Sequence, residues 1–395
     1  MTTEASEKPI AKPKRVNLRR PDVMEQVKAQ VMTHYRSELV DRLRAQGEVH
    51  CPTGRITIKL AKEFGFCYGV ERCIDLAYAA LKVFPNQPIY ILGEIIHNPE
   101  VNDQIRDMGI RFLSGPNKAA DIDDLGEGDI VIIPAFGTEV GIREKLEAKG
   151  CQFVDTTCGD VMSVWKRVRT YAKEEVTSII HGKASHEETM ATSSQAIAKD
   201  GHYLVVLNLD EANTVCDYII NGGDREAFLK QFAGCHSEGF DPDQHLRAVG
   251  VANQTTMMRG ETEEVQRRIR AAIAKRYGET KVDDHFRFFD TICGATQDRQ
   301  DALAVMLAEP MDLLLVIGGY NSSNTSHLAE MGEAQIPTFF IKNANEISDS
   351  TLIRHWNQHT QEVEKTTDWL PSGDLRVGIT AGASCPNNLI EDVIR

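Results

Sequence analysis

The chain has 395 residues, 42% of them hydrophobic and 26% charged, and its 58 acidic against 44 basic side chains leave a net charge of −14. That balance speaks against a nucleic-acid enzyme, because phosphate backbones require cationic surfaces, and no apolar run approaches the roughly 18 residues of a membrane span. The length suits two or three domains of an ordinary soluble α/β composition.

Residues 1–20 read as a tail. It lacks the apolar centre of a secretory signal, and its basic part, 8–20, is expected to be solvated. Residues 21–46 read as one charged helix. From residue 56 onward short β-rich runs alternate with helical patterns: 56–61, 88–96, 129–136, 177–182, 202–208, 247–253, 312–320, 338–342 and 375–381. Their dense apolar character suits strands covered on both faces, and the alternation with helices suits parallel α/β layers. The glycine-rich, charged stretch 209–246 interrupts this rhythm and reads as an insertion.

One short pattern recurs. DTTCG at 155–159 returns as DTICG at 290–294, each after an apolar run and before a helical segment, and EFGFCYGVERC at 63–73 is a looser relative. Cys67, Cys158 and Cys293 therefore sit at three matching strand-to-helix turns, which implies three similar α/β units. An insertion of about forty residues between the second and third turns evens their spacing. The divisions expected are 1–55 as an extension, 56–157 and 158–290 as the first two lobes, and 291–395 as the third.

The nine cysteines are odd in number and accompany no export signal, so a disulfide framework is not expected and a reducing cytoplasm is. Ligands in α/β layers lie beyond the carboxyl ends of strands. Three thiolates meeting there suit a soft metal centre, either zinc or an iron–sulfur cluster with one iron left open, and plain core packing is the competing reading. Among the other cysteines Cys73 faces packing, Cys151 lies at the wrong end of its run, Cys216 and Cys235 fall in the insertion, and Cys385 is the strongest rival. HGKASHEET (181–189) and NSSNTSH (321–327) place imidazoles, carboxylates, hydroxyls and an amide at helix starts. Such groups suit anion binding and proton transfer, although Ser and Asn also serve as ordinary N-caps.

Taken in order, GFCYGVERC, GEIIHNPEV, DTTCGDV, SHEETMAT, NQTTM, DTICGATQDRQ, GGYNSSNTSHL and TAGASCP resemble the 4-hydroxy-3-methylbut-2-enyl diphosphate reductases, over roughly 56–385 apart from the insertion. The resemblance implies three α/β lobes arranged like a trefoil around a [4Fe–4S] cluster held by Cys67, Cys158 and Cys293. It implies His97 and His186 as substrate-binding histidines, Glu188 as proton relay and Thr255 near the substrate hydroxyl. Ser322, Ser323, Asn324 and Ser384 would bind the diphosphate. An allylic diphosphate substrate and a ferredoxin or flavodoxin donor follow, with neither nucleic acid nor membrane as partner. The chain departs at PAFGTEV, where Phe136 stands in place of a histidine found in many bacterial members. Longer plant and cyanobacterial members resemble it there, and His181 is the imidazole expected to compensate.

Overall fold

The computed structural model describes residues 17–51, 54–289 and 291–395. Residues 8–16 of the basic tail fall outside these. Of the remainder, Asn17, Arg19 and Arg20 are exposed as expected, while Leu18 is buried in the core of the first lobe. The segment 21–46 forms two helices, Pro21–Tyr35 and Glu38–Gln46, instead of one. The break arises at Ser37, whose hydroxyl accepts from the Val40 amide (3.0 Å) as an N-cap, a role serine fills better than a helix interior. These helices brace the body. The Tyr78 hydroxyl donates to that of Tyr35 (3.1 Å), and Arg44 donates to the Phe64 carbonyl (2.9 Å) while its guanidinium lies 4.0 Å above the Phe64 ring.

Three sheets carry the architecture, an α/β fold as expected. The first is parallel, in the spatial order Arg111–Phe112, Ile89–Ile91, Ile130–Ile133, Gln152–Asp155. The second, also parallel, runs Phe286–Phe288, Val249–Asn253, Thr177–His181, Tyr203–Val206. The third has eight strands. Its parallel centre is Ile56–Leu60, Leu375–Ala381, Leu313–Ile317 and Thr338–Ile341. The strand ahead of Cys67 therefore pairs with the last strand of the chain. Ile130–Ile133 and Leu313–Ile317 are buried at every position, which is why they read as unbroken apolar runs and not as alternating ones.

An antiparallel extension at 347–367 edges the third sheet and is absent from the expected strands. Its strand Glu362–Thr367 is mostly exposed and charged, so it lacks an apolar signature. The stretch 209–246 holds helices Leu209–Asn221, Arg225–Gln231 and Pro242–His245. Tyr218, Phe228, Phe232 and Phe240 bury themselves in the second lobe, so this stretch supplies core as well as surface. No described helix is long and apolar enough to cross a membrane.

Candidate active site

Each of the three cysteines is the N-cap residue of a helix. Cys67 precedes Tyr68–Val83, Cys158 precedes Gly159–Lys173, and Cys293 precedes Gly294–Leu307. The turns are built locally and then tied to other lobes. Cys67 Sγ accepts from the Val70 amide (3.4 Å), while the Cys67 amide donates to the Ala383 carbonyl (3.1 Å). At the Cys158 turn the Asp155 carboxylate accepts from the amide and hydroxyl of Thr157 (3.1 and 2.6 Å), and the Cys158 amide donates to Ala135 (2.8 Å). The Cys293 amide donates to the Thr255 carbonyl (3.2 Å).

The thiols converge. A Cβ placed on Gly69 would stand 2.8 Å from Cys158 Sγ and 3.8 Å from Cys67 Sγ, so only glycine leaves room between them. Burial pushes the Cys158 thiol up, and burial followed by a hydrogen bond to Asp160 pushes Cys293 up to about 12. These two thiols are protonated at neutral pH in the metal-free chain; a coordinating metal deprotonates such groups outright. None of the six other cysteines joins them. Cys73 lies beneath the Cys158 turn, with Sγ 2.8 Å from Thr156 Oγ1, and Cys385, the rival by sequence, is fully buried in the core of the third lobe.

Beside the Cys293 turn, Glu188 is buried in the first turn of helix Glu187–Ile197. Its Oε1 accepts from the Thr255 amide (2.6 Å) and its Oε2 from the Thr255 hydroxyl (3.0 Å). Burial raises its pKa to about 7, against the opposing pull of both Thr255 hydrogen bonds and of His97. The N-cap of the same helix is His186, whose Nδ1 accepts from the Glu188 amide (3.1 Å). Burial, then His97 and Lys183, lowers the His186 pKa to about 3, so the ring is neutral and carries its proton on Nε2.

His97 meets His186 edge to face, with ring centroids 5.0 Å apart, and Phe136 stacks flat on His97 at 4.9 Å and 4°. The Glu94 carboxylate sits 3.1 Å from His97 Nδ1 and accepts from Asn321 of the third lobe (2.6 Å). This fixes Nδ1 as the protonated nitrogen and leaves His97 Nε2, 3.9 Å from the Glu187 carboxylate, buried like His186 Nε2 without a hydrogen-bond partner. The ligand atoms of His97, His186 and Glu187 all lie within 4.8 Å of one another, a spacing a cation could bridge. His186 argues against that use, because the nitrogen that would face the ion already bears hydrogen.

The third lobe closes the site. Ser322 caps helix Ser323–Glu333, and Ser323 is its first residue. Ser384 Oγ reaches the His97 carbonyl (3.2 Å) and Ser322 Oγ (3.3 Å). Asn324 Oδ1 accepts from the Ala383 amide (2.8 Å), leaving its Nδ2 buried and unpartnered. Gly319 is required here, since a Cβ would collide with the His97 carbonyl. A helix N-terminus, free imidazole N–H and amide N–H groups, and serine hydroxyls together form a cradle for an oxyanion.

The LytB protein family model matches residues 58–395 of the chain. This chain belongs to the LytB family. Among curated relatives of this LytB chain, one from Gloeobacter violaceus is 47% identical over 378 residues, covering 94% of this chain and 88% of the relative. One from Synechococcus sp. strain RCC307 is 46% identical and covers 100% and 96%. Both carry the name 4-hydroxy-3-methylbut-2-enyl diphosphate reductase. A solved structure of (E)-4-hydroxy-3-methyl-but-2-enyl diphosphate reductase, described as the terminal enzyme of the non-mevalonate pathway, is 28% identical with a TM-score of 0.53. It covers 85% of this chain and 97% of its own. The reductase structure from Plasmodium falciparum, 22% identical with a TM-score of 0.62 over 85% and 86% of the two chains, shares the fold.

In this LytB chain His181 does not stand in for the histidine absent at Phe136. It is fully buried, its Nδ1 pairs with Thr262 Oγ1 (2.8 Å), and its Nε2 lies 3.8 Å from Glu261, both on helix Arg259–Tyr277. Phe136 takes over the ring face of His97. Sequence reasoning missed Glu94 and Asn321. Glu94 lies within GEIIHN, three residues before His97, and that spacing was the one available clue.

Proposed function

We propose that this chain reduces 4-hydroxy-3-methylbut-2-enyl diphosphate to isopentenyl and dimethylallyl diphosphate. The allylic C–O bond breaks, two electrons and two protons enter, and water leaves. The observation that carries the reading is the Glu188–Thr255–Cys293 connection: a buried carboxyl with a pKa near 7 held by the residue whose carbonyl anchors one of three converging thiol turns.

Cys67, Cys158 and Cys293 would hold a [4Fe–4S] cluster. Three half-buried thiols, two of them flanking the Gly69 gap, fit that group better than zinc, whose sites usually draw close ligand pairs. When bound, such a cluster supplies electrons one at a time and an open iron acting as Lewis acid. The protein does the rest. His186 Nε2–H, the Asn324 amide and the hydroxyls of Ser322, Ser323 and Ser384 bind and orient the diphosphate, and His97 Nε2, an acceptor, takes a hydrogen bond from a hydroxyl or protonated phosphate oxygen of the substrate. Glu188 at Oε1 or Oε2 holds the proton for the departing hydroxyl, steadied by Thr255. Electrons come from a one-electron carrier of the ferredoxin or flavodoxin kind. The nine free cysteines suit a reducing cytoplasm.

The test is to purify the protein without oxygen, measure iron, acid-labile sulfide and zinc, and assay the allylic diphosphate with and without reductant. Near four irons and four sulfides, with strictly reductant-dependent product, supports the reading. Turnover without electrons would indicate a cluster-dependent dehydratase, and one zinc without sulfide would end the cluster assignment.

A further inference from the structure

Arg299 is an unusual residue for its location. Its side chain is buried, with 5% exposure, yet no carboxylate of the described residues forms an ion pair with it. Its guanidinium is spent on carbonyls. Nε and Nη2 both donate to the Gly65 carbonyl (3.2 and 2.6 Å), and Nη1 donates to the Ala295 carbonyl (2.7 Å). Gly65 is two residues before Cys67, and Ala295 is two after Cys293. The same side chain therefore joins two of the three thiol turns, from lobes far apart in sequence.

A buried full charge without a counter-ion is costly, and carbonyl hydrogen bonds offset only part of that cost. A neutral glutamine or a core aliphatic would fill this position more cheaply if tying a carbonyl were the whole purpose. The carbonyls it grips belong to the turns that carry Cys67 and Cys293, so the guanidinium sits at the root of both. The counter-charge is thus expected from the thiolates themselves once they hold a cluster.

We infer that Arg299 is a positioning residue that supplies the fixed positive charge facing the three-thiolate centre, and that this charge eases reduction of the bound cluster. The inference rests on the cluster reading above. Adding an electron adds negative charge at the centre, and a fixed cation in a poorly screened interior stabilises the reduced form. Replacing that charge by a neutral group shifts the midpoint potential to more negative values. A lysine, which keeps the charge but loses the planar fork, leaves the potential close to that of the unmodified protein.

The experiment uses anaerobically purified holoprotein of the unmodified chain, Arg299→Gln and Arg299→Lys. Iron and sulfide are measured first, and the potential is then read by a redox titration followed by electron paramagnetic resonance. Two results support the inference: a more negative potential in the glutamine variant with the lysine variant unshifted, or cluster loss in the glutamine variant with retention in the lysine variant. Equal potentials in all three proteins, an equal shift in both variants, or cluster loss in the lysine variant would overturn it and reduce Arg299 to a clamp on the Gly65 carbonyl. If the unmodified chain itself binds no iron–sulfur cluster, the underlying reading fails and takes this inference with it; if it loads normally and only the variants disagree, the inference alone fails.

Discussion

Thr255 grips Glu188 twice, its amide donating to Oε1 at 2.6 Å and its hydroxyl to Oε2 at 3.0 Å, while its own carbonyl accepts from the Cys293 amide at 3.2 Å. A single residue thus sets the distance between the buried carboxyl and one thiol turn. Glu188→Gln preserves both Thr255 contacts in shape but cannot release a proton. Its iron and sulfide content should match the unmodified protein while turnover falls by roughly 10²–10⁴, the range of general acid catalysis. A rate within a few-fold of the original would remove Glu188 from the proton route.

The same carboxyl should leave a mark on stability. Its folded pKa, about 7, lies above the ordinary 4.5. Between those values the folded state binds the proton that the unfolded state has lost. Stability therefore declines as pH rises from 4.5 to 7 and the loss is complete above, by about 3 kcal/mol at 1.36 kcal/mol per pKa unit. His181 and His186, lowered to about 4 and about 3, act in the opposite direction below their ordinary 6.5. The difference between the unmodified chain and Glu188→Gln isolates the carboxyl. Urea unfolding of the cluster-free proteins at pH 5 and pH 8 should show the variant gaining relative stability at the higher pH, and parallel pH profiles would contradict this.

Gly69 separates the demands of folding from those of the thiol centre. Alanine there should favour the helix by up to about 1 kcal/mol, but its methyl would press on Cys158 Sγ. Gly69→Ala should keep the circular dichroism of the parent chain and lose most of its iron. Full iron loading in the variant would mean that the thiol does not need that gap.

Glu94 is held between His97 and Asn321 and links the first lobe to the third. Glu94→Ala leaves both partners without their acceptor, a loss of about 1–3 kcal/mol. The KM for the diphosphate should rise about tenfold or more, with a smaller change in kcat. An unchanged KM would show that His97 keeps its orientation without the carboxylate.

The features legible in the sequence are short-range ones. An apolar run followed by a turn and a helix start is a local pattern, so the three cysteine turns and most of the strands could be read from it. The strand Glu362–Thr367 could not, because it is polar and exposed at a sheet edge. The division of 21–46 into two helices was missed because helical periodicity continues across Ser37, and only its capping hydrogen bond marks the break.

Residue chemistry and local punctuation by themselves determined where thiols, imidazoles and hydroxyls enter and leave secondary structure. Which of them meet was decided only by the packing of three lobes. Phe136 lies flat on His97, Asn321 reaches Glu94, and Arg299 crosses 234 residues to Gly65. Each contact joins elements whose separation along the chain says nothing about their separation in space. Their geometry follows from burying three apolar cores so that the carboxyl ends of the strands face one another, and no local pattern encodes that arrangement.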